Sequence, residues 1–341
     1  MPTDAPRVSL GIDVGGTNIK WVTLDGSAAR LGSGTVATPT ADEARVVDAL
    51  EQIVATARER FDVHSIGIAV PGHVDRQTQQ TLLIPNVAGH WNGFALGDEM
   101  RARTGLRPEI LNDARAFALA ELTVGSVSAY RNIVFATVGS GVGGALVVDG
   151  ELLRNRTDSA GELGHMTYRS GGRPCTCGAD GCVEAYAGGH AVAERLAGVD
   201  AQWRSRSLRE AFEATKARPD DAVATITAEA VDALAVALAS ACALIGGRAV
   251  VLGGGLAIEV PRYAETAAAR LASRRRLLGE VPVFVSEIGS LAGAIGAAIA
   301  GRSAVVPFSQ QGVTAMSELA SESWAQRVGR MPATSASEEL A

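Results

Sequence analysis

The sequence predicts a duplicated α/β architecture, and three observations carry that prediction. A glycine-turned hairpin occurs twice at a spacing of 124 residues. Each copy is followed by a helix and then a strand, and each half closes with one further strand and helix. The bulk numbers allow such a fold. A chain of 341 residues can build two domains of ordinary size, and 47% hydrophobic with 20% charged residues suits a globular protein with a sizeable core.

Residues 8–14 (VSLGIDV) read as a buried strand ending in Gly15-Gly16-Thr17, and residues 19–24 as the return strand closed by Asp25-Gly26. In the second half, residues 134–138 lead into Gly139-Ser140-Gly141-Val142-Gly143-Gly144, and residues 145–148 precede Asp149-Gly150. Val14, Gly15, Asp25 and Gly26 fall on Val138, Gly139, Asp149 and Gly150 without a gap. A helix over about 42–60 and a strand over 65–70, ending in Pro71-Gly72, follow the first hairpin. Their counterparts are a helix over about 222–245 and a strand over 249–252 ending in Gly253-Gly254-Gly255. The closing pairs are a strand at 109–111 with a helix at 114–122, and a strand at 283–285 with a helix at 291–300.

The expected division is an N-terminal α/β lobe over 1–122 and a C-terminal α/β lobe over 123–289, joined by the small, polar connector 123–131. The helix at about 290–305 is expected to pack back on the first lobe. Beyond residue 306 the chain turns polar, with a short helix expected at 316–328 and a poorly ordered tail over 307–341.

A net charge of −6 and a pI near 5.5 argue against a dedicated nucleic-acid or anionic-membrane surface. The run Arg274 to Arg276 reads as a solvated helix face. No apolar run is read as long enough, at about 18–20 residues, to span a bilayer. The start MPTDAPRVSL lacks a charged segment followed by an apolar one, so a cytoplasmic location is expected.

Three of the four cysteines lie within eight residues. Cys175, Cys177 and Cys182 form C-x-C-x4-C, with His165 ten residues upstream, so one loop (160–184) offers three thiolates and an imidazole. That is a complete tetrahedral set for a structural Zn2+. Ordinary reduced cysteines are the bland alternative. A disulfide fits less well, because a C-x-C pair makes a very tight ring and leaves one thiol over. Glu162 and Glu184 stand three residues before His165 and two after Cys182, so a metal in this loop would also pin both carboxylates.

Gly139, Gly141 and Gly144 satisfy G-x-G-x-x-G, but apolar, β-branched ALVVDG follows, where a dinucleotide fingerprint needs a helix. The sequence also has no G-x4-G-K-S/T motif. Either glycine turn alone reads first as a tight hairpin. Two of them, with Asp13 placed to hold an ion such as Mg2+ directly or through water and with Thr17 and Lys20 nearby, suggest a phosphate cleft. Asn112-Asp113 sits where a strand gives way to a helix, which suits a cap as well as a site group. Asn86 reads as a loop residue, and Trp91 and Phe94 as core. His64, His73, His90 and His190 have no metal-like partners and read as structural or solvent-facing, while Cys242 reads as a small buried apolar residue.

These residues resemble the ROK group of sugar kinases, open reading frames and repressors, within the actin-like ATPase superfamily. The resemblance is carried by GIDVGGTNIK (11–20), GIAVPGHVD (67–75), IPN (84–86), NDARAFALAE (112–121) and GSGVGGALVVDG (139–150). It continues through AGELGH (160–165), CTCGADGCVE (175–184), VVLGGG (250–255) and GSLAGAIGAA (289–298). It implies a duplicated actin-like ATPase (ribonuclease H-like) fold with two lobes around a cleft. It also implies ATP-dependent phosphorylation of a hexose, glucose to glucose 6-phosphate first, with an amino or N-acetylated hexose (N-acetylglucosamine or N-acetylmannosamine) as the alternative.

By the same resemblance, Asp113 is the general base and Asn112 fixes the sugar beside it. Gly72, Asn86, Glu162, His165 and Glu184 border or bind the sugar, with His165 also on zinc. Asp13, Gly15, Gly16, Thr17, Lys20, Gly139, Ser140 and Gly141 serve the nucleotide phosphates and their Mg2+, and Gly253, Gly254 and Gly255 border the adenosine. Asn18 stands where many members have Lys, Ser140 where Thr is usual and Arg115 where Asn is frequent. A non-catalytic sugar sensor or repressor is the remaining reading. A repressor would need a helix-turn-helix before the first hairpin, and seven residues precede Val8. A homodimer or dimer of dimers is the implied assembly.

Overall fold

The computed structural model describes residues 5–215 and 221–305, so the tail over 307–341 and the helix expected at 316–328 lie outside the described residues. Twelve strands lie in order among the described residues. The first seven are β1 (Arg7–Val14), β2 (Asn18–Leu24), β3 (Arg30–Ala37), β4 (Asp62–Val70), β5 (His73–Asp75), β6 (Gln80–Leu83) and β7 (Glu109–Asn112). The others are β8 (Ile133–Val138), β9 (Val142–Val148), β10 (Glu151–Leu152), β11 (Ala249–Gly253) and β12 (Val283–Val285). The α-helices are α1 (Glu43–Arg58), α2 (Leu96–Thr104), α3 (Asp113–Val124), α4 (Glu184–Ala187), α5 (Gly189–Val199), α6 (Leu208–Ala214), α7 (Ala222–Ile245), α8 (Gly255–Glu259), α9 (Pro261–Ala272), α10 (Arg275–Leu278) and α11 (Ala292–Val305).

Two sheets of five strands repeat one topology, β3-β2-β1-β4-β7 and β10-β9-β8-β11-β12. In each, an antiparallel hairpin leads into parallel strands. β1 pairs with β2 from Ser9↔Leu24 to Val14↔Ile19, and β8 with β9 from Ile133↔Val147 to Val138↔Val142. β4 and β7 then run parallel beyond β1, as β11 and β12 do beyond β8. The duplication legible in the two hairpins thus extends to strand order and direction.

The central strands form from near-continuous apolar runs because both faces are covered. On one side of the first sheet, Val8, Leu10 and Ile12 pack with Val46, Val47, Leu50 and Val54 of α1. These α1 positions recur at helical spacing, and the helix is capped by Asp42, which accepts from the Arg45 N–H. On the other side α11 lies on β1, β4 and α3. α3 also packs against the second sheet, where Phe117 and Ala120 share a core with Phe135, Ala145 and Val251. The outer face of that sheet is covered by α7 and α9.

Some elements differ from expectation. β3 was not predicted, because RLGSGTVA is a largely exposed edge strand with two glycines and no apolar alternation. Thr123 and Val124 of the expected connector continue α3. The reading that no apolar run is long enough to span a bilayer is corrected by α7, a 24-residue helix of mean hydropathy 1.9 that passes on length and composition. In this fold that apolarity is spent on the core, where Val231, Leu234 and Leu238 are buried against the second sheet and α9.

Candidate active site

The predicted site residues gather where the parallel strands end at their C-termini, the usual place for ligands in α/β sheets. β1 delivers Asp13 and the Gly15–Asn18 turn, closed by a Gly15 N–H to Asn18 O bond of 3.0 Å. β4 ends at Pro71-Gly72, β7 at Asn112, β8 at Gly139 and β11 at Gly253. A separate cavity of about 780 Å3, lined by Tyr130, Arg131, Arg248 and Arg275, lies at the opposite ends of the second sheet's strands and is no part of this cluster.

Asn112 caps α3 with an extended backbone (φ −66°, ψ 146°), so Asp113 is the first helical residue and not the cap. The Asn112 Oδ1 accepts from the N–H groups of Ala114 (2.9 Å) and Arg115 (3.3 Å) and from Arg115 Nη1 (2.8 Å). Its Nδ2 donates to Gly72 O at 2.9 Å, which leaves one amide hydrogen for a ligand. Asp113 Oδ1 accepts from the Ala114 N–H at 2.8 Å. Burial pushes the Asp113 carboxyl up to about 6, against the pull of that N–H and of Arg115 and with the push of Glu162.

Asp13 stands across from Asp113. Burial, and then the charge of Asp113, push its carboxyl up to about 7, while Lys20 pulls it down. Lys20 Nζ in turn donates to Ser290 O at 3.1 Å, just before α11. That helix begins at the Asp13 carboxylate, and a Cβ on Gly293 would stand 2.6 Å from Asp13 Oδ2, so only glycine allows this approach. Two carboxylates that resist ionisation side by side are the arrangement a divalent cation relieves.

The loops complete the cluster. Asn86 has a left-handed backbone (φ 63°), and its carbonyl oxygen lies 2.7 Å from where a Cβ on Gly16 would stand, which sets the IPN segment on the first turn. Thr17 is exposed on that turn, and its carbonyl accepts from the Thr38 N–H. The second turn, Gly139–Val142, is held by the N–H groups of Gly189 and His190, which donate to Gly139 O and Ser140 O at 2.9 Å each. Glu184 opens α4 and accepts from the Val142 N–H at 2.8 Å. Gly253 ends β11 against the ring of Phe117, Gly254 caps α8 and Gly255 begins it.

Glu162 is held by two residues that sequence reasoning did not place in the site. His73, read as structural or solvent-facing, lies with Nε2 3.7 Å from Glu162 Oε1, and Arg115 Nη1 lies 3.0 Å from the same oxygen. Burial raises the Glu162 carboxyl, and the His73 and Arg115 contacts more than offset it, so the net direction is down. Neither partner is near Glu162 in sequence, so no local signal marked them.

The side chains of His165, Cys175, Cys177 and Cys182 converge, with all four donor atoms within 4.8 Å of one another. Two separations, 3.6 Å for Cys177 Sγ to Cys182 Sγ and 3.7 Å for Cys175 Sγ to His165 Nδ1, come close to the roughly 3.8 Å edge of a zinc–thiolate tetrahedron. The loop is shaped by short bridges, Thr167↔Cys182 and Pro174↔Asp180. Such a donor set fits Zn2+, and it leads directly into Glu184.

Paired sheets of this topology with helices between them define the actin-like ATPase fold. Within that class the chain belongs to the ROK family, whose pattern it matches over residues 9–303. A glucokinase of Streptomyces coelicolor is 35% identical over 185 residues, covering 54% of this chain and 57% of that protein, so the chain spans little more than half of that relative's length. A glucokinase of Thermotoga maritima is 32% identical over 273 residues, 74% of this chain and 83% of that one. The crystal structure of a Streptomyces griseus ROK glucokinase, in complex with glucose and AMPPNP, is 30% identical with a TM-score of 0.72, covering 87% of this chain and 99% of that one.

Proposed function

We propose that the protein is a sugar kinase that transfers the γ-phosphoryl group of ATP to a hexose, glucose in the first place, giving the hexose 6-phosphate. The observation that carries the reading is the pair Asp13 and Asp113, half-buried at the end of β1 and the start of α3, with Asp13 feeling the charge of Asp113, and flanked by two equivalent glycine turns. The likeness to glucokinases supports the same substrate class.

In this reading Asp113 accepts the proton of the attacking sugar hydroxyl, whose oxygen forms a bond to the γ-phosphorus as the bond to the β-phosphate oxygen breaks. Its carboxyl, at about 6, is mostly ionised at neutral pH yet more basic than an exposed aspartate. Position does most of the work, because phosphoryl transfer depends on an in-line oxygen and on neutralised charge. Gly72, Asn86, Asn112, Glu162, His165 and Glu184 would border the sugar. The turns formed by Gly15, Gly16 and Thr17 and by Gly139, Ser140 and Gly141, with Lys20, would border the phosphate oxygens, the Gly15 and Gly139 N–H groups closing the turns themselves, and Gly253 to Gly255 would border the adenosine. Mg2+ held near Asp13 would supply charge neutralisation. Zn2+ on His165, Cys175, Cys177 and Cys182 would fix the loop that ends in Glu184. A cytoplasmic homodimer or dimer of dimers is the setting in which we read it.

The test is a coupled assay of ADP formation with Mg-ATP across glucose, other hexoses, N-acetylglucosamine and N-acetylmannosamine, repeated with polyphosphate as donor. Glucose-dependent turnover is expected. No phosphorylation of any sugar would overturn the reading.

A further inference from the structure

Arg115 is a large charged side chain in the interior, 1% exposed. It lies in the first turn of α3, two residues after Asp113. Its Nη1 reaches both Asn112 Oδ1 (2.8 Å) and Glu162 Oε1 (3.0 Å), and its Nη2 donates to Ala160 O. A single guanidinium thus ties the cap of α3 to the segment that carries Glu162, 45 residues away to Ala160. Its fork of donors is what lets one group hold three acceptors, and an ammonium could not reproduce that geometry. Of the two N–H donors that remain, the one on Nε is buried with no protein partner.

Glu162 Oε1 is claimed on two sides, by Arg115 and by His73, which fixes the plane of the carboxylate and leaves Oε2 for a ligand. Asn112 is clamped in the same way, with Oδ1 saturated and one amide hydrogen free. We propose that Arg115 is a positioning residue for the sugar, presenting Glu162 Oε2 and the free Asn112 amide hydrogen in fixed directions, and so helps to set which hexose is accepted. The proposal rests on the kinase reading of the site.

The experiment compares wild type, Arg115→Asn, Arg115→Lys, Glu162→Gln and the Arg115→Asn/Glu162→Gln double variant. KM and kcat are measured for glucose, mannose and N-acetylglucosamine and for ATP, with calorimetric glucose binding alongside. A thermal melt of each variant checks the fold, and Arg115→Lys, which keeps the charge and most of the volume, carries the comparison where Arg115→Asn is destabilised. The expected result is a KM for glucose raised about tenfold, the scale of one charge-assisted hydrogen bond, with altered ratios among the sugars. The KM for ATP should stay within about twofold, and Lys should rescue only in part. In the Glu162→Gln background the Arg115 change should add little, because both act on one contact. Fully additive losses, an equal rise in the KM for ATP, or unchanged sugar ratios would overturn the positioning role while leaving the kinase intact. Absence of both sugar binding and turnover in the wild type would overturn the kinase reading, and this proposal with it.

Discussion

Glu184 Oε2 accepts the Val142 N–H at 2.8 Å, which joins the residue that follows the cysteine loop to the second glycine turn. The side chain proposed to meet the sugar therefore also shapes the turn proposed to meet phosphate. Tyr186, two residues on, reaches back with its hydroxyl to accept from the Arg173 N–H at 2.9 Å, so both ends of the loop are fastened. The two proposed halves of the reaction are mechanically joined at this point.

Gly141→Ala should break that joint. A Cβ there would fall within contact distance of Glu184 Oε2 and drive the carboxylate off the turn. Overpacking of this kind costs about 1–3 kcal/mol. If it is spent at the site, kcat/KM falls by about tenfold to a hundredfold, with ATP and sugar both affected. Steady-state kinetics against each substrate would show it, and a loss confined to one substrate would contradict the shared contact.

Elemental analysis of the purified protein should give about one zinc per chain, as a closed four-ligand site requires. Cys177→Ser should lose the metal, lower the thermal midpoint and weaken sugar binding more than the ATP step, because the loop leads into Glu184 and His165 sits on it. Chelation of wild-type protein followed by melting and glucose calorimetry provides the same readout without a substitution. Full stability and full sugar affinity in metal-free Cys177→Ser would remove the pinning role.

Much of this arrangement was readable in the chain because it rests on local signals. The glycine turns, the cysteine spacing and the apolar runs of β1 and β8 each announce themselves within a dozen residues. The duplicated topology then follows from their order. What the sequence could not show is contact at long range. Arg115 and His73 meet Glu162 only after α3, β5 and the loop before the cysteines are brought together, and the approach of α11 to Asp13 depends on Gly293, one glycine among 39. β3 was missed for a different reason: an exposed edge strand has no buried face to impose a pattern.

The activity should rise with pH along its acid limb. Asp113 must be ionised to accept a proton, and burial holds its carboxyl at about 6. The midpoint in kcat/KM is therefore expected nearer 6 than 3.8, the value of an exposed aspartate. Asp113→Asn should lower kcat by a factor of about 10² to 10⁴, the usual share of a general base, with sugar binding largely kept. A pH–rate profile for wild type and single-turnover measurements on the variant test both parts. Near-normal turnover in Asp113→Asn would remove this residue from the mechanism.

The same burial makes a prediction about stability, with its sign set by linkage. The Asp113 and Asp13 carboxyls are raised in the folded protein, to about 6 and about 7 from 3.8, so the folded state binds more protons than the unfolded one across that interval. Their contribution is most favourable below about 4, where both states are protonated. It is lost as pH climbs through 6 and 7, where the buried groups must ionise beside each other. Asparagine has no charge to bury. Asp113→Asn should therefore be more stable than wild type at pH 8 in the absence of ligand, by up to about 3 kcal/mol less what solvent at the half-buried carboxylate screens. The gain should shrink towards pH 5, and Mg2+ should narrow it at pH 8 by relieving the wild-type pair. Urea denaturation at pH 5 and pH 8, with and without Mg2+, reads the difference directly. A variant less stable than wild type at pH 8 would show that the Ala114 N–H bond to Asp113 outweighs the cost of burying its charge.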